Sequence, residues 1–390
     1  MIKIEKSERL KALPPYLFVE IDKAKKKARD EGRDVIDLGV GDPDIPTPNF
    51  IIDSLCKAAR DPKNHRYALD QGLPEFRQAA SKWLKKRFQI DMDPACEIHP
   101  LIGSKEGIAH IPLAFVNPGD AVLVPDPCYP PYKSGTIFAG GEVVPMPLLE
   151  KNHFLPDLRS VNHHILHKVR MIFINYPNNP TSAVCDKKFL KDVVEFARKH
   201  NIIVCSDAAY SEIGYDGYMA PSIFEVEGAR DVAIEFHSLS KTFNMTGWRI
   251  GFACGNPVII EGLAKVKSNI DSGVFQAIQA AGIAALEGYD KHIKSVIKVY
   301  EERRNVLVDG LSSLGWKVDR PKSTFYVWTK VPARYTSAAF AKDLLDKADI
   351  IVTPGNGFGQ SGEGYIRMAL TVDKKILSEA VRRIKERLGQ

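Results

Sequence analysis

A chain of 390 residues is long enough for one large domain and a smaller one. Its 44% hydrophobic and 26% charged residues are an ordinary globular balance, which excludes a disordered chain. The formal net charge of +6 is spread along the sequence, and its densest run, Lys23-Ala24-Lys25-Lys26-Lys27-Ala28-Arg29, lacks the interleaved aromatics of a nucleic-acid patch and reads as the solvated face of a helix.

The first residues, Met1-Ile2-Lys3-Ile4-Glu5-Lys6, lack the apolar core of a signal peptide, and no apolar run reaches membrane-spanning length. The cysteines Cys56, Cys96, Cys128, Cys185, Cys205 and Cys254 form no CxxC pair and show no metal-ligand spacing. They predict reduced thiols in a cytoplasmic protein, with no metal, no membrane and no nucleic acid among its partners.

In chain order the strand candidates are 121–124, 171–175, 202–206, 232–236, 325–329 and 365–369, with amphipathic stretches such as 187–200 between several of them. This alternation predicts an α/β fold with a mainly parallel sheet. Such sheets bind ligands at the carboxyl ends of their strands. Asp126, Asn179, Asp207 and the run from Ser238 to Lys241 each follow a strand candidate. The stretch from about 283 to 304 reads as one long helix leading into a smaller unit. The expected division is an N-terminal segment over 1–45 packing with the small domain, a large cofactor-binding domain over 46–284, and a small α/β domain over 285–390.

The most specific segment is Ser238-Leu239-Ser240-Lys241-Thr242-Phe243-Asn244-Met245-Thr246-Gly247-Trp248-Arg249. A lysine that is partly desolvated and near another cation loses its proton more easily, so its neutral amine can condense with an aldehyde. Ser238, Ser240 and Arg249 supply hydroxyl and guanidinium donors suited to a phosphate. A bare Ser-x-Ser-Lys would equally describe a surface lysine among structural hydroxyls. Gly103-Ser104-Lys105-Glu106-Gly107 opens a helical stretch, and the amides of a helix start bind phosphate well.

The lysine segment resembles the cofactor-lysine signature of the class I/II, fold-type I aminotransferases, which use pyridoxal 5′-phosphate (PLP). The similarity runs over nearly the whole chain. It includes Leu38-Gly39-Val40-Gly41-Asp42-Pro43-Asp44, Tyr176-Pro177-Asn178-Asn179-Pro180-Thr181, Ser206-Asp207-Ala208-Ala209-Tyr210 and Tyr365-Ile366-Arg367, in the family's order. Ser182 departs from the pattern, since the family usually has glycine there.

The resemblance implies that Lys241 carries PLP as a Schiff base and then serves as general base at the substrate Cα, with ping-pong kinetics. It implies that Asp207 pairs with the pyridinium nitrogen, that Tyr210 and Asn179 donate to the phenolate oxygen, and that Tyr129 stacks on the ring. The amides of Ser104 and Lys105, with Ser238, Ser240 and Arg249, are expected at the phosphate. Tyr67 is similar to the tyrosine that reaches this phosphate from a partner subunit, which implies a homodimer with shared active sites. Arg367 is the expected clamp for the substrate carboxylate, with Gly39 letting the backbone approach it.

Several segments look most like the LL-diaminopimelate aminotransferases: residues 9–18, 103–107 and 267–273. That likeness implies synthesis of LL-diaminopimelate from tetrahydrodipicolinate and glutamate in lysine biosynthesis. The far end of such a substrate would need both signs of charge, for which Lys105 and Asp70 are the candidates. An aspartate or broad-range aminotransferase, a PLP β-lyase and a PLP-binding transcription regulator are the other readings. The last needs a DNA-binding domain, which is not expected here.

Overall fold

The computed structural model describes residues 2–14, 17–68 and 71–388. Its centre is a seven-stranded sheet built from β1 (Ile98–Leu101), β2 (Ala121–Asp126), β3 (Glu142–Pro147), β4 (Val169–Asn175), β5 (Ile203–Asp207), β6 (Ala233–Ser238) and β7 (Gly251–Gly255), in the spatial order β1-β7-β6-β5-β4-β2-β3. The five strands from β6 to β3 run parallel, and β7 and β1 are antiparallel to their neighbours. The expected α/β fold with a mainly parallel sheet is therefore present.

Central strands of such a sheet are covered on both faces, so they read as unbroken apolar runs. Met171, Ile172, Phe173 and Ile174 of β4 are all essentially inaccessible. Successive side chains point to opposite faces. Ile172 and Ile174 accordingly join the core that contains Phe76, Trp83 and Val193, whereas Met171 and Phe173 join the one that contains Ile108, Ile111 and Leu263. At the edge, β3 carries Pro145 and Pro147, which lack an N–H for a further ladder.

A second, smaller sheet holds β8 (Tyr326–Lys330), β9 (Thr353–Pro354) and β10 (Tyr365–Ala369), with β10 in the middle and antiparallel to both neighbours. The helices Tyr289–Ser313, Ser337–Ala348 and Lys374–Leu388 pack on it through Leu307, Leu311, Phe340, Leu344, Leu377 and Ile384. Ile36 and Asp37 pair in parallel with Ile350 and Ile351, and Arg33 bonds Asp349 at 2.8 Å. Further back, Arg9 reaches the carbonyl of Phe138, beside the large sheet.

The stretch read as one long helix from 283 is two helices, Gln276–Glu287 and Tyr289–Ser313, that meet at Gly288. The ring of Phe50 occupies the space where a side chain at position 288 would begin. Gly288 is the local mark of the break, a glycine where one helix ends and the next begins. Among the described residues no helix is long and apolar enough to cross a membrane, and all six cysteines are free.

Candidate active site

The carboxyl ends of β4, β5 and β6 open onto a cavity of about 230 Å³, closed on the far side by residues of β8 and β10. Strand β6 ends at Ser238, whose hydroxyl accepts the Ser240 N–H and caps the short helix Leu239–Thr242. This capped turn sets Lys241 at the strand end, lining the cavity, with Nζ 3.2 Å from the Gly41 carbonyl. Burial pushes the ammonium down to about 8; Asp42 opposes this, and Arg249 and Arg367 add to it. The lysine is thus poised to lose its proton near neutrality.

Asp207 closes β5 and is buried. Tyr132 donates to its Oδ2 at 2.7 Å and the Ala209 N–H to its Oδ1 at 3.2 Å. Burial nevertheless raises its carboxyl to about 6, against the help of these two donors and of His237. A carboxylate kept this far from water favours a cation placed against it.

Asn175, at the end of β4, braces this floor. Its Nδ2 donates to the Asp207 carbonyl at 2.7 Å, and its Oδ1 accepts the Asn179 N–H at 2.8 Å. Asn179 in turn offers Oδ1 to Nη1 of Arg367 at 2.7 Å, which orients its amide. The hydroxyls of Tyr210 and Tyr326 lie 2.9 Å apart, and both residues line the cavity. Tyr129 forms part of the wall, edge-on to Tyr132 with ring centroids 5.9 Å apart.

At one end of the cavity, Ser104 and Lys105 begin the helix Ser104–Phe115. Its N-cap, Gly103, has φ +74, and a Cβ there would lie 2.5 Å from Nη2 of Arg249. Glycine therefore both makes the turn and lets the guanidinium close over it. Arg249, itself at φ 57, also bonds the Thr246 carbonyl at 2.8 Å. Ser104, Lys105, Ser238, Ser240 and Arg249 all line this end. Helix-start amides, hydroxyls and a guanidinium together suit a phosphate dianion.

Opposite stands Arg367 of β10, only 1% exposed. Its Nη2 donates to the Gly39 carbonyl at 2.8 Å, and its guanidinium lies 4.1 Å from the ring centroid of Tyr326. Burial disfavours its charge, so an incoming carboxylate would be bound strongly.

The residues expected from sequence are thus brought together, with three qualifications. Gly39 stands one step back: its N–H bonds Asp37 and its carbonyl orients Arg367, while Val40 and Gly41 form the cavity wall. Tyr67 is 85% exposed and lies away from the cavity, with His65 and Phe275. Asp70 lies outside the described residues. Sequence reading missed Tyr132, Asn175 and Tyr326, whose decisive contacts join separate stretches of chain. Ser182 is the departure from the family pattern. It adopts φ 59, the left-handed region that favours glycine, and its hydroxyl bonds both Thr324 Oγ1 and the Tyr326 carbonyl at 2.8 Å.

Residues 33–384 match the family described as aminotransferase class I and II. An LL-diaminopimelate aminotransferase of Moorella thermoacetica is 54% identical over 387 residues, covering 99% of both chains. One from Aquifex aeolicus is 54% identical over 381 residues, 98% of each. Among solved structures, substrate-bound BacF from Bacillus subtilis is 37% identical with a TM-score of 0.94, covering 99% of this chain and 98% of the other. A probable N-succinyldiaminopimelate aminotransferase from Thermus thermophilus is 33% identical with a TM-score of 0.90, covering 95% and 99%. With such agreement along its whole length, the chain belongs to the class I and II aminotransferases, enzymes that use PLP to move amino groups between amino acids and 2-oxo acids.

Proposed function

We propose that this enzyme is an LL-diaminopimelate aminotransferase, making LL-diaminopimelate from tetrahydrodipicolinate with glutamate as donor in lysine biosynthesis. The observation that carries the reading is full-length identity of 54% to a relative of that name. The cavity is consistent with the cofactor: an easily deprotonated lysine, a buried carboxylate and an anion-binding helix start match an aldehyde, a ring nitrogen and a phosphate.

When bound, PLP supplies an aldehyde that takes up the substrate amine and a ring that draws electrons from its Cα. Lys241 would anchor the cofactor through its Nζ, and that amine, easily deprotonated in this cavity, would be the group placed to take a proton from the substrate Cα. Asp207 would hold a proton on the cofactor's ring nitrogen, Asn179 and Tyr210 would donate to its phenolate oxygen, and Tyr129 would cover its ring. Ser104, Lys105, Ser238, Ser240 and Arg249 hold the phosphate. Arg367 binds the substrate carboxylate in its planar fork, with Gly39 orienting that fork. Lys105 and Asp70 are the proposed contacts for the distal charges of diaminopimelate.

We also propose a cytoplasmic homodimer. Tyr67, Phe275 and Ile270 are exposed by 85%, 43% and 54%, which favours a second copy covering this face and delivering its own Tyr67 to the phosphate. The free cysteines agree with a reducing compartment.

An amino-donor screen with 2-oxoglutarate tests the substrate. LL-diaminopimelate should turn over faster than the meso and DD isomers and than aspartate. Preference for aspartate would move the enzyme to the aspartate or broad-range reading. Pyruvate and ammonia from a β-substituted amino acid, without transamination, would move it to the β-lyases.

A further inference from the structure

Lys267 does not line the cavity, yet it is one of the most deeply buried charged residues, at 2% exposure. It stands near the end of the helix Pro257–Ser268, and its Nζ lies 2.9 Å from Glu106 Oε2 and 3.0 Å from Asp271 Oδ2. Glu106 is the third residue of the helix that begins at Ser104. The same Oε2 accepts the Ile102 N–H at 3.1 Å, and Oε1 faces His110 Nδ1 at 2.7 Å. A glutamate at this position that reaches back to an amide ahead of the helix fixes the entry turn. That turn, Ile102-Gly103-Ser104-Lys105, carries the helix-start amides at the anion end of the cavity. Asp271, on the other side, accepts the Gly273 N–H at 2.7 Å. One ammonium therefore holds two carboxylates together. Without it they would face each other as like charges, and Glu106 would be driven off the Ile102 amide. His99 is no ready substitute cation: burial is the first cause of its imidazole's fall to about 4, and only the smaller part due to the Lys267 charge would go with that residue.

We infer that Lys267 is a positioning residue for the cofactor phosphate: through Glu106 it holds the turn that presents the Ser104 and Lys105 amides. The inference rests on the reading of those amides as the phosphate site. It involves no contact between Lys267 and the cofactor.

The test is a titration of the full-length apoprotein with PLP, and separately with pyridoxal, which lacks the phosphate. Lys267→Met should weaken PLP by about tenfold or more, equivalent to about 1.4 kcal/mol, and leave pyridoxal binding unchanged. Lys267→Arg, which keeps the cation, should recover most of the loss. Arg249→Gln serves as the control for the phosphate site and should also weaken PLP selectively. If Arg249→Gln weakens PLP and folded Lys267→Met does not, the inference is overturned and the phosphate site stands. If neither weakens PLP, the phosphate site itself is misplaced and both ideas fall. Equal losses for PLP and pyridoxal in Lys267→Met would mean general damage and overturn the positioning role. Should Lys267→Met fail to fold, Glu106→Leu decides: it removes both the ion pair and the oxygen that holds the Ile102 N–H, and should weaken PLP and not pyridoxal. Unchanged PLP affinity there would overturn the inference.

Discussion

Asp207→Asn should stabilise the protein without cofactor and weaken its grip on the cofactor, two effects of opposite sign from one atom. The carboxyl is buried beneath the cavity and pushed from an ordinary value of 3.8 to about 6, chiefly by burial. Each pKa unit is worth about 1.36 kcal/mol, so the folded apoprotein carries a cost of about 3 kcal/mol for holding this charge. The cost is fully present above pH 6, where the carboxylate is ionised both folded and unfolded. It falls as pH drops from 6 toward 3.8, because there the folded state binds the proton and the unfolded state does not. Asparagine removes the charge and keeps the shape, and Tyr132, 2.7 Å away, can serve its amide as acceptor or donor. Urea melts of both apoproteins should therefore show the variant more stable by about 3 kcal/mol at pH 8, shrinking to about 1 kcal/mol near pH 4.5. With PLP the order should narrow or reverse, since the wild type gains a cation against its carboxylate and the variant does not. A variant less stable than wild type at pH 8 without cofactor, or a gap that ignores pH, would refute the reasoning.

Two further outcomes follow from the opposite wall. Arg367→Lys should raise KM for amino acids by about tenfold or more and leave PLP affinity nearly unchanged, because one ammonium cannot hold Asn179, Gly39 and a carboxylate in the fork's geometry. Steady-state kinetics beside a PLP titration checks this, and an unchanged KM for every substrate would count against the clamp. Ser182→Ala should lower thermal stability, since it keeps the left-handed backbone at φ 59 and loses both hydroxyl bonds, about 1–3 kcal/mol. Ser182→Gly loses the same bonds but relieves about 1 kcal/mol of backbone strain, so it should melt above the alanine variant; the reverse order would dismiss the strain.

What the sequence made legible is the part of the site that is local in the chain. Lys241, Asp207 and the Ser104 turn each sit where a strand ends or a helix begins, and those junctions carry their own signals: a cap, a turn glycine, a short polar run after an apolar one. The strands β4 and β5 were visible for the same reason, as continuous apolar runs that only a doubly covered sheet requires. The antiparallel pair β1 and β7 was not. His99 and Pro100 interrupt β1, and Gly251 and Gly255 bound β7, so neither has a strand-like composition. The opposite wall is nonlocal in its construction. Tyr326 matters because Arg367 lies over its ring, Tyr210 meets its hydroxyl, and Ser182 holds its carbonyl, and those three come from separate stretches of chain. No window of sequence contains that relation. Ser182 shows how such a relation leaves a trace: a residue that breaks a local rule by occupying a glycine conformation does so where its side chain has a distant partner to hold. Lys267 shows the complementary case. A lysine in a helix is ordinarily solvated, and only the fold, by bringing Glu106 and Asp271 to the same point, turns it into a buried charge shared by two carboxylates.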